Sequence, residues 1–380
     1  MIALKLLNKR IVLAWAAIAW AAPGAAHADL AKDLAVLRAV SDKGQGNREA
    51  QTAWRAVAKS DVAALPQILS ALDGANPLAA NYLRAAVDAV AERTLAEKRP
   101  LPANELETFT LERKNDPRAR RLAFEWLTRV DQAAPDRIIP KMLDDPSLEL
   151  RRDAVARVLE KAQALATDGK RDPAAEQFET AFHAARHLDQ AQKAAEELKK
   201  LGRPADLVKH FGFITHWKLV APFDNTGQKG YDVAYPPEKG LDFSATYRGK
   251  QNAPIRWIDH ETTDPLGKVD LTKALDKHKG AVAYAVAEFH ADGARDVELR
   301  LGCINAAKVW LNGRLVIAEE VYHTGTDVDQ YIGKARLEPG KNVILVKICQ
   351  NEQTEDWAQT WQFQLRVCDA IGSAVLPSKP

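Results

Sequence analysis

The chain has 380 residues, with 53 Lys and Arg against 51 Asp and Glu, a net charge of +2 and only 3 Cys. Near neutrality excludes the basic footprint of a general nucleic-acid binder or a polybasic membrane-surface protein. Three cysteines, with no C-x-x-C or C-x-x-C-H among them, exclude a disulfide scaffold, a zinc ribbon and covalently attached haem.

Residues 1–28 carry Lys5, Lys9 and Arg10, then the apolar run from Ile11 to Ala22, then Pro23 and Gly24, and finally Ala26-His27-Ala28 before Asp29. This is the order of a secretory signal peptide: a basic end, an apolar run too short for a bilayer core of about 30 Å, and small residues at the cleavage site. Cleavage after Ala28 and export to the periplasm or beyond are expected. No later stretch is apolar enough to span a membrane, so the mature chain carries no membrane span.

Aromatic residues divide what remains. Residues 29–210 hold seven and residues 211–380 hold seventeen. The first part is rich in Ala, Leu, Arg and Glu, which favour helices, and the second in Val, Ile, Tyr, Trp and Gly with period-2 alternation. The expected organisation is a helical-repeat domain over 29–201, a linker over 202–212, a β-sandwich over 213–370 and a tail over 371–380.

In the helical part a pattern of Arg, any residue, Ala, apolar, two of any type, apolar occurs as RAAVDAV from Arg84, RLAFEWL from Arg121 and RDAVARV from Arg152. LPQIL from Leu65 and IPKML from Ile139 precede two of the copies, and Asp144-Asp145-Pro146 supplies a turn. The copies stand 37 and 31 residues apart, and periods of this size mean stacked helical hairpins, each burying the apolar face its neighbour leaves open. The run IPKMLDDPSLELRRDAVARVL, residues 139–159, resembles a HEAT repeat, which implies an α-solenoid and a surface for docking a protein partner. The Arg120-Arg121 and Arg151-Arg152 pairs are expected to salt-bridge neighbouring repeats or face water. His183 and His187 stand four apart, which on one helix face is metal-ligand spacing, but no third ligand accompanies them and they read as surface histidines.

In the second part, strand candidates run from Phe213 to Val220, Leu241 to Tyr247, Ile255 to Ile258, Ala281 to Phe289, Val297 to Cys303, Lys308 to Leu311, Arg314 to Ile317, Val343 to Cys349 and Phe363 to Val367. Gly, Pro, Asn and Asp clusters separate them, as in an antiparallel sandwich. Asn312-Gly313 marks a type I′ hairpin. Cys303 continues an apolar alternation and reads as core, whereas Cys368 falls on the polar parity of its strand. The sequences VELRLG, VWLNGRLV, LEPGKNVILVKICQNE and WQFQLRV together resemble the galactose-binding-like jelly rolls that serve as accessory domains of β-galactosidases. That resemblance implies a jelly-roll fold and carbohydrate as one class of ligand. Trp310, in the hairpin, reads first as packing.

Loops on a rigid sandwich are where a ligand would sit, because exposed aromatics and carboxylates are tolerated there. A sugar needs an aromatic plane for its apolar face and planar polar groups for its hydroxyls. The loop candidates are Asp224, Asn225 and Tyr231; Trp257 with Asp259 and His260; Tyr322 and His323; and Glu355, Asp356 and Trp357. Asp327 and Asp329 leave room for a structural Ca²⁺, and no other cofactor is implied. There is no G-x-S-x-G, H-E-x-x-H, P-loop or G-x-G-x-x-G after a strand. The expected function is therefore that of an exported, non-catalytic binding or scaffold protein, with helical repeats for protein docking and a jelly roll for a carbohydrate or other envelope ligand. The alternatives are a glycan-acting enzyme using acids in the jelly-roll loops, or a purely structural envelope protein.

Overall fold

The structure, a computed structural model, describes residues 23–378. Most of the expected leader, residues 1–22, lies outside the described residues. The chain divides into one compact unit up to Ile138 and a second from Ile139 onward. No helix among the described residues is long and apolar enough to cross a membrane.

The described part of the first unit is helical: α1 (Pro23–Arg38), α2 (Asn47–Val57), α3 (Leu65–Ser70), α4 (Pro77–Ala96), α5 (Ala103–Leu111), α6 (Pro117–Val130) and α7 (Ala134–Ile138). Helices α4 and α6 begin in the same way. Asn76 accepts from the amides of Leu78 and Ala79, Asp116 accepts from those of Arg118 and Ala119, and Pro77 and Pro117 occupy the first turn, where a missing N–H costs nothing. Leu83, Ala86, Val87 and Val90 of α4 and Leu122, Ala123, Trp126 and Leu127 of α6 are buried. Polar ties join the two helices: Arg84 pairs with Glu125 at 2.8 Å, and the Trp126 indole donates to Asp88 at 2.8 Å.

The second unit opens with four helices, α8 (Leu148–Thr167), α9 (Arg171–Ala184), α10 (Leu188–Lys200) and α11 (Leu207–Phe211). Arg152 of α8 pairs with Asp189 of α10 at 2.6 Å, repeating the Arg84–Glu125 arrangement, and Arg121 bonds Glu125 at 3.1 Å. Arg120 is fully buried and donates to the Thr110 carbonyl at 2.7 Å. The expected pairing of His183 and His187 on one helix face does not occur. Helix α9 ends at Ala184, and His187 is extended backbone at the start of α10. Residues 202–212, read as a linker, contain α11, whose Phe211 is 1% exposed in a core with Phe178, Phe182, Leu198 and Phe213.

The rest is antiparallel sheet, with two short helices, α12 (Pro236–Lys239) and α13 (Leu271–Leu275). The strands are β1 (His216–Asp224), β2 (Tyr247–Arg248), β3 (Pro254–Ile255), β4 (Ile258–Glu261), β5 (Val269–Asp270), β6 (Ala281–Ala291), β7 (Arg295–Cys303), β8 (Ala306–Leu311), β9 (Arg314–Glu319), β10 (Tyr331–Leu337), β11 (Gly340–Gln350) and β12 (Gln362–Cys368). One sheet has the order β4-β1-β6-β11-β8-β9, the other β10-β7-β12-β5, and β2 and β3 pair separately. Leu219, Ala285, Val309 and Val346 of the first sheet and Leu299, Leu301, Phe363 and Leu365 of the second share one core. Between β8 and β9, Asn312 and Gly313 have φ of 51° and 80°, the two positive values a type I′ turn needs.

Three expectations fail here for identifiable reasons. Leu241 to Tyr247 is mostly not a strand, since only Tyr247 pairs, with Ile255. Strand β10 was not anticipated because, as an edge strand, it exposes Ile332, Lys334 and Arg336. Cys368 is fully buried rather than on a polar face, because both faces of β12 are covered: Gln364 and Arg366 are 2% and 1% exposed. Arg366 is held by Asp329 at 2.6 Å and by the carbonyls of Phe211 and Gly372 at 3.1 and 3.0 Å. All three cysteines are free and buried. Burial pushes the thiols of Cys303 and Cys349 up to about 12 and that of Cys368 up to about 11, so none is a thiolate at neutral pH.

Candidate functional site

Residues 225–257 leave the six-stranded sheet and fold back over its outer face, where Phe223, Tyr231, Ile255, Tyr284 and Leu345 form a second core. Strand β6 is consequently buried on both sides, and its sequence reads as an almost unbroken apolar run. A buried lysine fixes the excursion. Lys347 of β11, 1% exposed at its side chain, donates to the carbonyls of Tyr231 and Val233 and to Glu238, each at 2.9 Å, and the Tyr284 hydroxyl donates to the same carboxylate. Burial, with Glu238 beside it, holds the Tyr284 phenol far above its ordinary range.

Beyond the excursion the sheet face is open. A cavity of about 500 Å³ lies over β4, β1 and β6, lined by His216, Lys218, Phe243, Asp259, His260, Glu261, Val286 and Glu288. Registry explains the convergence. Lys218 sits opposite both Asp259 and Val286, and His216 sits opposite Glu261, so alternate residues of three strands share one face. Phe243, 37% exposed, forms a wall with its ring 5.5 Å from that of Trp257, and the Lys218 ammonium lies 5.4 Å from the Phe243 ring centre. Two of the carboxylates are paired with lysines, Asp259 with Lys218 and Glu288 with Lys341, each at 2.5 Å, and the His216 ring lies 3.1 Å from Glu261. Desolvation pushes the His260 pKa down, which keeps its ring neutral.

The candidate residues do not share one environment. Trp257, Asp259 and His260 belong to this cleft or its wall, with the Trp257 indole donating to the Tyr247 hydroxyl at 3.2 Å. Asn225, Tyr322, His323 and Trp357 meet at a second place. The Asn225 amide donates to the Tyr322 hydroxyl at 3.2 Å and the Gln350 carbonyl at 3.0 Å, and His323 contacts Asn351 at 2.9 Å. The Trp357 ring stands edge-on to that of His323 at 4.9 Å and is 58% exposed, whereas Asn225 is fully buried. Asp224 is exposed and accepts from Thr226 at 2.7 Å, which, outweighing its partial burial, lowers its pKa. Tyr231 is 6% exposed in the second core, with the Lys308 ammonium 4.0 Å from its ring centre. Glu355 and Asp356 are exposed.

Asp329 does not suit calcium. Its oxygens are held by Arg366 at 2.6 Å and Arg300 at 2.8 Å, and two guanidinium groups would repel a cation. Burial raises the Asp329 pKa, but the two arginines outweigh it and hold the carboxyl below its ordinary value. Among the described residues no group of three or more His, Cys, Asp or Glu is arranged to hold a metal.

His216, Lys218, Phe243, Glu261 and Glu288 of the cleft were not anticipated. Glu288 carried a signal: it is the single carboxylate in the apolar run AVAYAVAEFHA, and such a residue needs a place where the covering of the face stops.

No family model matches the chain, and no curated protein matches it. Parts of several solved structures align with parts of the chain. A β-glucosidase from Kluyveromyces marxianus in complex with glucose aligns over 40% of this chain and 16% of its own, with 16% identity and a TM-score of 0.26. An anti-sigma factor domain-containing protein from Clostridium clariflavum aligns over 44% of this chain and 48% of its own, with 10% identity and a TM-score of 0.24. A Faecalibacterium prausnitzii β-glucuronidase aligns over 42% and 31%, with 14% identity and a TM-score of 0.21. The chain thus spans less than half the length of each of these proteins.

Proposed function

We propose that this is an exported, non-catalytic binding protein whose sheet-face cleft takes a neutral carbohydrate. The observation that carries the reading is an exposed aromatic wall beside carboxylates, imidazoles and ammonium groups, with Asp259 and Glu288 each paired to a lysine. Phe243 offers a surface for the apolar face of a pyranose, and the surrounding groups supply donors and acceptors for hydroxyls. A strongly charged ligand would have to break these ion pairs, whereas a polyol can bridge them. In this reading the sheets form a galactose-binding-like jelly roll. The helices form HEAT-like hairpins, supported by the recurrence of Arg84–Glu125 and Arg152–Asp189 ties, each between helices two apart in the chain, and their outer surface docks a protein partner. The test is a glycan array probed with the full chain and with Phe243→Ala. Retention of neutral glycans by the wild type and their loss from the variant supports the proposal; no retained glycan, or equal retention by both, overturns it.

A further inference from the structure

The helical part of the second unit contains a cavity that the sheet-face reading does not use. It has a volume of about 480 Å³, within the range of about 300–1,000 Å³ usual for small-molecule sites, and opens among α9, α10, α11 and the C-terminal segment. Phe182, Leu198, Pro204, Ala205 and Leu376 make its apolar lining. The rings of Phe182 and His210 lie 4.4 Å apart at 39°, a pair of flat surfaces on one side.

Its polar groups are largely committed. Arg203 is shared between Glu179 at 3.4 Å and Asp172 at 3.2 Å, and Asp206 caps α11 by accepting from the Lys209 amide at 2.9 Å. Among the lining residues Glu179 and Asp206 stand against Arg203 and Lys209, so the cavity offers no strong field for a charged head group. His210 is different. Its Nε2 lies 3.0 Å from the Ala185 carbonyl, which can only accept, so Nε2 carries the proton. Burial pushes the His210 pKa down to about 4, so the ring is neutral at pH 7 and Nδ1 keeps a lone pair. Among the described residues Nδ1 has no hydrogen-bond partner.

We infer that this cavity is a second binding site, for a small uncharged aromatic molecule bearing one hydrogen-bond donor, such as an indole or a phenol. The ring would pack against Phe182, Leu198 and Pro204, and its N–H or O–H would donate to His210 Nδ1. The inference is independent of the carbohydrate reading, because none of the cleft residues takes part.

The experiment is calorimetric titration of the full chain with indole, N-methylindole and indole-3-carboxylate, repeated on Ala205→Trp, which fills the cavity from a half-buried position. Thermal melts confirm that the variant is folded. The proposal expects one saturable site for indole, affinity about tenfold lower for N-methylindole, which lacks the donor, and no binding to the folded variant. It is overturned if indole does not bind, if N-methylindole or the carboxylate binds as well as indole, or if Ala205→Trp leaves the isotherm unchanged.

Discussion

Replacing Lys347 by Met tests whether the excursion over residues 225–257 is pinned to the sheet by one buried charge. The Lys347 and Glu238 side chains are 1% and 14% exposed, so water does little to screen them. Methionine fills a similar volume, but it leaves the Glu238 carboxylate with only the Tyr284 hydroxyl, and it strands the Tyr231 and Val233 carbonyls without their donor. Removing one member of a buried pair costs about 3–5 kcal/mol. For a unit of this size each kcal/mol moves Tm by about 2–4 °C, so a fall of roughly 6–20 °C is expected. Changing Glu238 to Gln in the same chain removes the stranded charge and should recover about 1–3 kcal/mol. Thermal and urea melts of the two single variants and the double variant measure this. A Lys347→Met melt within about 0.5 kcal/mol of wild type, or strict additivity in the cycle, would refute the reasoning.

Gly313→Val should cost about 1–3 kcal/mol in a urea melt, and the loss should be purely conformational, because a Cβ at this position meets nothing within 4 Å while φ is +80°. His210 gives a pH signature. Its folded pKa, near 4, lies below the ordinary 6.5, so its contribution to stability is complete above pH 6.5 and is lost as the pH falls toward 4. Melts of wild type and His210→Phe across that window should therefore converge on acidification, and parallel curves would count against the neutral, buried ring. Trp357→Ala, at a side chain 58% exposed, should leave Tm nearly unchanged, and a large drop would make that ring structural.

The division into helices and antiparallel sheet was legible because each part keeps its period over many residues. The hairpin at Asn312-Gly313 was legible because only a few residue types tolerate its dihedrals. What escaped depended on contacts distant in sequence. Tyr231 looked like a loop aromatic because nothing local shows that Lys347, 116 residues away, draws its carbonyl onto the sheet. Cys368 followed the strand's alternation, which predicts a wet face only where nothing else covers it, and Phe211 and the Gly372 turn cover it here. The cleft was half legible. Asp259 and His260 were recognised by chemistry, while His216, Lys218 and Glu288 join them only through the register of β1 with β4 and β6. Trp257 stands against Phe243, which comes from a segment read as a strand and was not singled out.

The central claim is that a neutral carbohydrate occupies the cleft over β4, β1 and β6. Its most direct test is the chemical-shift response of the cleft residues when the full chain is titrated with the best-retained soluble oligosaccharide. The account predicts saturable shifts at Lys218, Phe243, Asp259 and Glu288, with Trp357 and His323 unmoved. Shifts confined to Trp357 and His323, or none at all, would contradict it.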